Sequence, residues 1–199
     1  MLTSLINEIK NEIATLKRSI KTSLRRATGG SDYSKWSNKT SLSQTWDSRT
    51  QQIATLIRPG ASVIEFGAGR LILKTLLSEN CSYTPSDLVD RGYGTIVCDL
   101  NSKNLPQFQQ YDVAVFSGVI EYVNDVPRVI SYLSSYVNVI IASYALIEKN
   151  LRNRRREGWV NNYNSAQFIK IFENAGFYCD HTEEWKSQVI YRFTKVKHL

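Results

Sequence analysis

Hydrophobic and polar positions alternate with three different periods along the chain. From Met1 to about Ala27, Leu2, Ile6, Ile9, Ile13, Leu16 and Ile20 recur at spacings of four and three, with no Pro or Gly between them. That is the a/d seam of a heptad pattern, and it predicts one amphipathic helix that ends at Gly29-Gly30. Residues 31–41 are polar and aromatic, with Tyr33 and Trp36, and read as a linker or lid. From residue 42 onward, strand and helix patterns alternate. A helix is expected over Ser41–Arg58, then a strand at Ser62–Phe66 and a helix at Arg70–Leu77. Strands are expected at Ser82–Ser86, Gly94–Cys98 and Asp112–Phe116. A helix at Val126–Tyr136, a strand at Val137–Ala142 and a helix at Ser165–Ala175 follow, and two consecutive runs, Phe177–Glu184 and Gln188–Val196, close the chain. The pattern predicts an α/β fold: a mostly parallel seven-stranded sheet, helices on both faces, and a C-terminal antiparallel pair. The expected organisation is an N-terminal helix (1–30), a linker (31–41) and one catalytic-type domain (42–199).

Composition narrows the class. The chain has 199 residues, 42% hydrophobic, which suits a single folded body and argues against global disorder. No apolar run reaches the ~18–20 residues of a membrane span. Glu8, Lys10, Glu12 and Lys17 interrupt the N-terminus too often for a signal peptide. Three cysteines without CxxC spacing argue against a disulfide framework or zinc site, so a cytoplasmic protein with no metal is expected. The net charge of +7 sits in two patches: six Lys/Arg against two Glu in residues 1–30, and five against two in residues 145–158. A nucleic-acid-binding domain would show a broader basic face. The N-terminal seam could lie on the domain surface, pair with a second copy, or touch an anionic membrane surface.

The strongest local motif is Glu65-Phe66-Gly67-Ala68-Gly69, where a buried strand meets a glycine turn before a helix. Gly67 and Gly69 permit positive φ and close approach of a ligand. A dinucleotide fingerprint needs a third glycine at position 72, which is Ile, and Glu65 suits a cation better than a pyrophosphate. Asp87 lies 18 residues beyond Gly69, near the offset at which an acid reaches a ribose. Asp99-Leu100 follows the third strand, and Tyr111–Phe116 runs into Ser117-Gly118-Val119-Ile120-Glu121-Tyr122. All of these fall at the carboxyl ends of strands, where such sheets bind ligands.

These motifs resemble those of the class I S-adenosylmethionine-dependent methyltransferases, whose fold is Rossmann-like. Glu65–Gly69 is similar to that family's first motif, Tyr111–Val123 to its fourth, and residues 177–196 to its terminal strands. The resemblance covers about residues 42–199 and implies S-adenosyl-L-methionine as cofactor. By it, Glu65, Gly67, Ala68 and Gly69 would hold the methionine end, Asp87 the ribose, Asp99 with Leu100 the adenine, and Ser117-Gly118 the methyl donor. The chain departs from the pattern where Leu71 replaces a frequent glycine, Gly118 an acidic residue and Tyr122 a histidine. With that histidine gone, Glu121 is the candidate base. His181 and His198 are poor candidates, one in the edge pair and one at the chain end.

The acceptor is expected to meet Tyr144, Arg155, Trp159 and Asn161, in the stretch after the fifth strand. Arginine forks bind carboxylate or phosphate and aromatic rings stack on planar groups or sugars, which suits an anionic or nucleotide-linked sugar. The competing readings are an RNA methyltransferase and a non-catalytic scaffold working through the N-terminal helix.

Overall fold

The computed structural model describes residues 2–150 and 152–196, and His198 lies outside them. The strands are β1 (Ser62–Phe66), β2 (Ser82–Asp87), β3 (Ile96–Val97), β4 (Tyr111–Phe116), β5 (Val137–Tyr144), β6 (Phe177–Trp185) and β7 (Gln188–Lys195). They form one sheet in the order β3-β2-β1-β4-β5-β7-β6. The first five pair in parallel, and β7 runs antiparallel between β5 and β6. The helices are α1 (Leu2–Thr28), α2 (Tyr33–Trp36), α3 (Asp47–Thr55), α4 (Ile72–Leu76), α5 (Val126–Leu133), α6 (Arg154–Glu157) and α7 (Ser165–Asn174). The predicted α/β class and the closing antiparallel pair are both present.

Each central strand is apolar on both faces, as a sheet covered on both sides requires. Ile64, Phe66, Ala114, Phe116 and Ile140 face one core with Val129, Ile130 and Leu133 of α5 and Phe168 and Phe172 of α7. Val63, Val113, Val115 and Ile141 face the other with Ile53 of α3 and Leu73 of α4. The chain reverses direction across the sheet between β1 and β4, so their carboxyl ends open a crevice.

Three elements differ from the sequence pattern. The expected helix over Ser41–Arg58 is split, because Asn38 and Ser43 accept from the backbone N–H of Thr40 and Thr45 and start 3-10 turns at Lys39–Ser41 and Gln44–Trp46. β3 is two residues long. Its approach is spent in a turn where Gly92, Tyr93 and Gly94 all have positive φ. β3 pairs only with Ser86 and Asp87, so Pro85 stands where β2 has no outer neighbour. α4 starts only at Ile72, after Leu71 takes a left-handed conformation.

Candidate active site

The crevice at the switch point is a cleft of about 420 Å³. On its floor β1 gives way to the turn at Gly67, where φ is +69° and a Cβ would come within 2.5 Å of Val119 Cγ2. Glycine is required there for conformation and for space. The Asp87 carboxylate braces the turn: Oδ2 accepts from Gly69 N (2.8 Å), and Oδ1 from Leu88 N (2.7 Å) and Arg91 Nη2 (3.2 Å). Arg91 also donates to the carbonyls of Trp36 and Ser37, tying the 31–41 segment to the rim. Asp99 Oδ1 accepts from Ser31 Oγ (2.6 Å) and Asn101 N (2.9 Å) on the same side. Trp36 faces the cleft, while Tyr33 is exposed.

Glu65 lies at the cleft bottom, buried, with Tyr83 Oη donating to Oε2 at 2.5 Å. Burial pushes its pKa up to about 8, against the opposing effect of the Tyr83 bond. Near neutrality it therefore holds a proton that an incoming cation would displace.

The opposite wall rests on a residue that no sequence motif marks. Arg49 of α3 is buried and donates to Ser117 Oγ (3.1 Å), the Ser117 carbonyl (3.0 Å) and Gln188 Oε1 (3.0 Å). A side chain at position 118 would run into its guanidinium, which explains the glycine where the resemblance leads one to expect an acid. Gln188 Nε2 and Ala145 N both donate to Glu121 Oε1, at 3.2 and 2.9 Å. Glu121 Oε2 is buried with no hydrogen-bond partner among the described residues. Burial raises the Glu121 pKa, while Arg49 and the Ala145 bond pull it down. Trp46, Trp185, Asn150, Arg152 and Lys186 complete this side.

Glu65, Gly67, Ala68, Gly69, Asp87, Asp99, Leu100, Ser117, Gly118, Glu121 and Trp159 all line the one cleft. Three residues expected at the acceptor do not. Tyr144 is fully buried: its hydroxyl donates to Asn161 Oδ1 (2.6 Å), accepts from Arg154 and Tyr163 N, and its ring stacks on Phe168. Asn161 in turn donates to the carbonyls of Ile120 and Val123, fastening the loop after β4 from behind. Arg155 is taken up by the Trp159 carbonyl. The polar groups of Tyr144 and Asn161 are consumed by holding the wall, and Arg155 gives one N–H to it, so the structure places all three outside the lining of the cleft where the acceptor was expected. Tyr122, in the place of the family histidine, accepts from Trp159 Nε1 and packs edge-on against Trp36.

A methyltransferase domain model matches residues 39–182. A search of curated proteins finds no match. Among solved structures, mitomycin 7-O-methyltransferase superposes with a TM-score of 0.68 at 14% identity, over 92% of this chain and 67% of its own. The 1,6-didemethyltoxoflavin-N1-methyltransferase of Burkholderia thailandensis gives 0.58 at 14% identity, over 94% and 90%. The magnesium protoporphyrin IX methyltransferase of Synechocystis PCC 6803 gives 0.55 at 19% identity, over 77% and 82%. Against the pyocyanin biosynthetic protein PhzM the chain spans only 54% of the neighbour's length. With the family model covering most of its length, the chain belongs to the class I S-adenosylmethionine-dependent methyltransferases.

The residues present fit that cofactor. A sulfonium and an ammonium are cations, and about the glycine turn stand the Asp87 and Asp99 carboxylates and Glu65, whose proton a cation would displace, a lining that suits cations better than a pyrophosphate. Four buried polar atoms without a hydrogen-bond partner among the described residues, Trp36 Nε1, Ser86 Oγ, Arg91 Nε and Glu121 Oε2, belong to residues of the same cleft. Among the described residues, no group of His, Cys, Asp and Glu could hold a metal ion, and no helix is long and apolar enough to cross a membrane.

Proposed function

We propose that the chain methylates a small molecule carrying a hydroxyl beside an anionic group, with phosphorylated and nucleotide-linked sugars as the first acceptors to try. The observation that carries this reading is the mixed lining of one cleft. Glu65, Asp87 and Asp99 gather about the glycine turn. Arg152, Lys186, Trp46 and Trp185 belong to the same lining, and cations and ring faces suit a negatively charged acceptor.

S-adenosylmethionine, when bound, supplies an electrophilic methyl group on a sulfonium with its leaving group built in. The carboxylates of Asp87 and Asp99 would hold the ribose and adenine sides, and Glu65 with Gly67–Gly69 the amino-acid end. What remains for the chain is alignment, exclusion of water and removal of one proton. Glu121 is suited to taking that proton, because Oε1 is fixed by Ala145 N and Gln188 Nε2 while Oε2 is left to accept from the acceptor hydroxyl. A carboxylate of raised pKa is a stronger proton acceptor than an ordinary one. Tyr144 and Asn161 contribute by keeping the loop that carries Glu121 in register.

Calorimetric titration with S-adenosylmethionine and, separately, with NADH tests the cofactor. Micromolar binding of the first alone is expected, and absence of heat with the first would overturn the reading. With an acceptor found, Glu121→Gln should lower kcat by roughly 100-fold or more, the usual worth of a general base, with cofactor binding unchanged. An unaltered kcat would remove Glu121 from the chemistry.

A further inference from the structure

The polarity of α1 is reversed with respect to the body that carries it. A surface helix ordinarily turns its apolar stripe to the core. On α1 the less exposed side chains are Thr15, Ser19, Thr22 and Arg25, and Thr22 is fully buried, where the helix runs against α6. Arg25 is further tied to Asp32 at 3.0 Å. Leu5, Ile6, Ile9, Ile13, Leu16, Ile20 and Leu24 face outward, each between 43% and 62% exposed. Exposing a continuous aliphatic stripe is unfavourable in water unless something covers it.

The stripe's own chemistry selects its cover. In heptad terms Ile6, Ile13 and Ile20 occupy a, while Leu2, Ile9 and Leu16 occupy d. β-branched residues at every a, with leucine at two of the three d positions, favour a parallel two-stranded coiled coil. Glu12 then falls at g and Lys17 at the following e, positions that face each other across a parallel interface with opposite charge. An antiparallel pairing would oppose Lys10 to Lys17 at e instead. Of the side chains turned to the body, Thr15 and Thr22 occupy c and Arg25 f, outside the seam, and Ser19 at g borders it, while Ile6, Ile9, Ile13, Leu16 and Ile20 of the seam itself stay exposed to a second copy.

We propose that α1 pairs with α1 of a second copy of this chain as a parallel two-stranded coiled coil through Ile6, Ile9, Ile13, Leu16 and Ile20, with Glu12 of each helix against Lys17 of the other. Three heptads stand at the short end of what sustains such a pair, so the expected dimer is reversible.

Light scattering of the full chain at micromolar concentration should give twice the 22.8 kDa of one chain. Ile13→Asp should reduce that to a single-chain mass while the heat of S-adenosylmethionine binding, or in its absence the thermal unfolding transition of the body, stays as in the unaltered chain. Glu12→Lys should weaken association by roughly tenfold, and Glu12→Lys with Lys17→Glu should restore it, as exposed ion pairs at two symmetric positions allow. In a Cys81→Ser, Cys179→Ser background, Ile6→Cys should oxidise to a disulfide-linked dimer, because only parallel pairing brings position 6 to position 6. A single-chain mass for the unaltered protein, a dimer indifferent to Ile13→Asp, or no Ile6→Cys cross-link overturns the proposal. So does a single-chain protein that co-sediments with phosphatidylglycerol vesicles, which would make the stripe a lipid-facing surface.

Discussion

Leu71 is the residue at which the chain departs most visibly from local preference. It sits at φ +59°, ψ 30°, in the left-handed region, immediately before α4. A side chain there costs roughly 1–2 kcal/mol that glycine does not incur. Leu71→Gly should therefore unfold at a higher urea concentration than Leu71→Ala, by about 1 kcal/mol, since both lose the side chain and only one keeps the strain. Glu65 makes a second prediction. Its pKa is about 8 in the folded chain against 4.5 for an ordinary glutamate. Between those values the folded state holds a proton that the unfolded state has released. Its stabilising contribution is complete below 4.5 and is lost as pH rises through 8. The melting temperature of the free protein should accordingly fall across that window, and Glu65→Gln should flatten the fall. A cationic ligand prefers the ionised carboxyl, so cofactor affinity measured by calorimetry should rise with pH over the same range in the parent and not in the variant. Glu65 could be found in the sequence because its motif is contiguous. Arg49 could not, because its meaning lies in Ser117 and Gln188, 68 and 139 residues away.

The elements divide in the same way. β1, β4 and β7 begin and end within a residue or two of where the apolar runs do, because strands buried on both faces have no alternative use for those residues. The segment from Lys39 to Trp46 breaks into 3-10 turns because Asn38 and Ser43 hydrogen-bond the backbone locally, a competition that apolar periodicity does not register. Residues 30–46 form a strap, several of whose attachments lie on the Asp87 and Asp99 side of the cleft. Arg91 holds both the Trp36 carbonyl and Asp87, Ser31 holds Asp99, and Asn124 holds the Gly30 carbonyl. Arg91→Ala removes the bond between strap and carboxylate together, with hydrogen bonds to a charged donor worth about 1.5–3 kcal/mol each. Cofactor affinity should drop roughly tenfold or more, and trypsin should cut faster at Lys35 and Lys39 in the free protein. Loss of affinity without faster cleavage would mean that Arg91 serves the ligand alone and does not hold the strap.

At the scale of the molecule, the strand order locates the site. A parallel sheet that changes direction between β1 and β4 must open there, and the glycine turn, the Asp87 and Asp99 carboxylates and the loop after β4 all end at that opening. The regular alternation of strand and helix makes this arrangement legible in the sequence, whereas the opposite wall, assembled from α3, β7 and the segment after β5, has no contiguous signature. A ligand that binds only the folded chain stabilises it by about 2.7 kcal/mol at a hundred times its dissociation constant. For a chain of about 200 residues this amounts to a rise in melting temperature of roughly 5–10 °C. S-adenosylmethionine should produce that rise in the parent protein and in Glu121→Gln, since the role proposed for Glu121 is toward the acceptor. Gly67→Val should abolish it: the new side chain would collide with Val119 and fill the floor of the cleft, at a φ of +69° that valine resists. Because both β1 and β4 remain apolar and paired in that variant, its own transition should stay cooperative. An unchanged ligand-induced shift in Gly67→Val would mean that the cofactor does not lie on the β1 turn, and the site would have to be sought elsewhere along the same sheet edge.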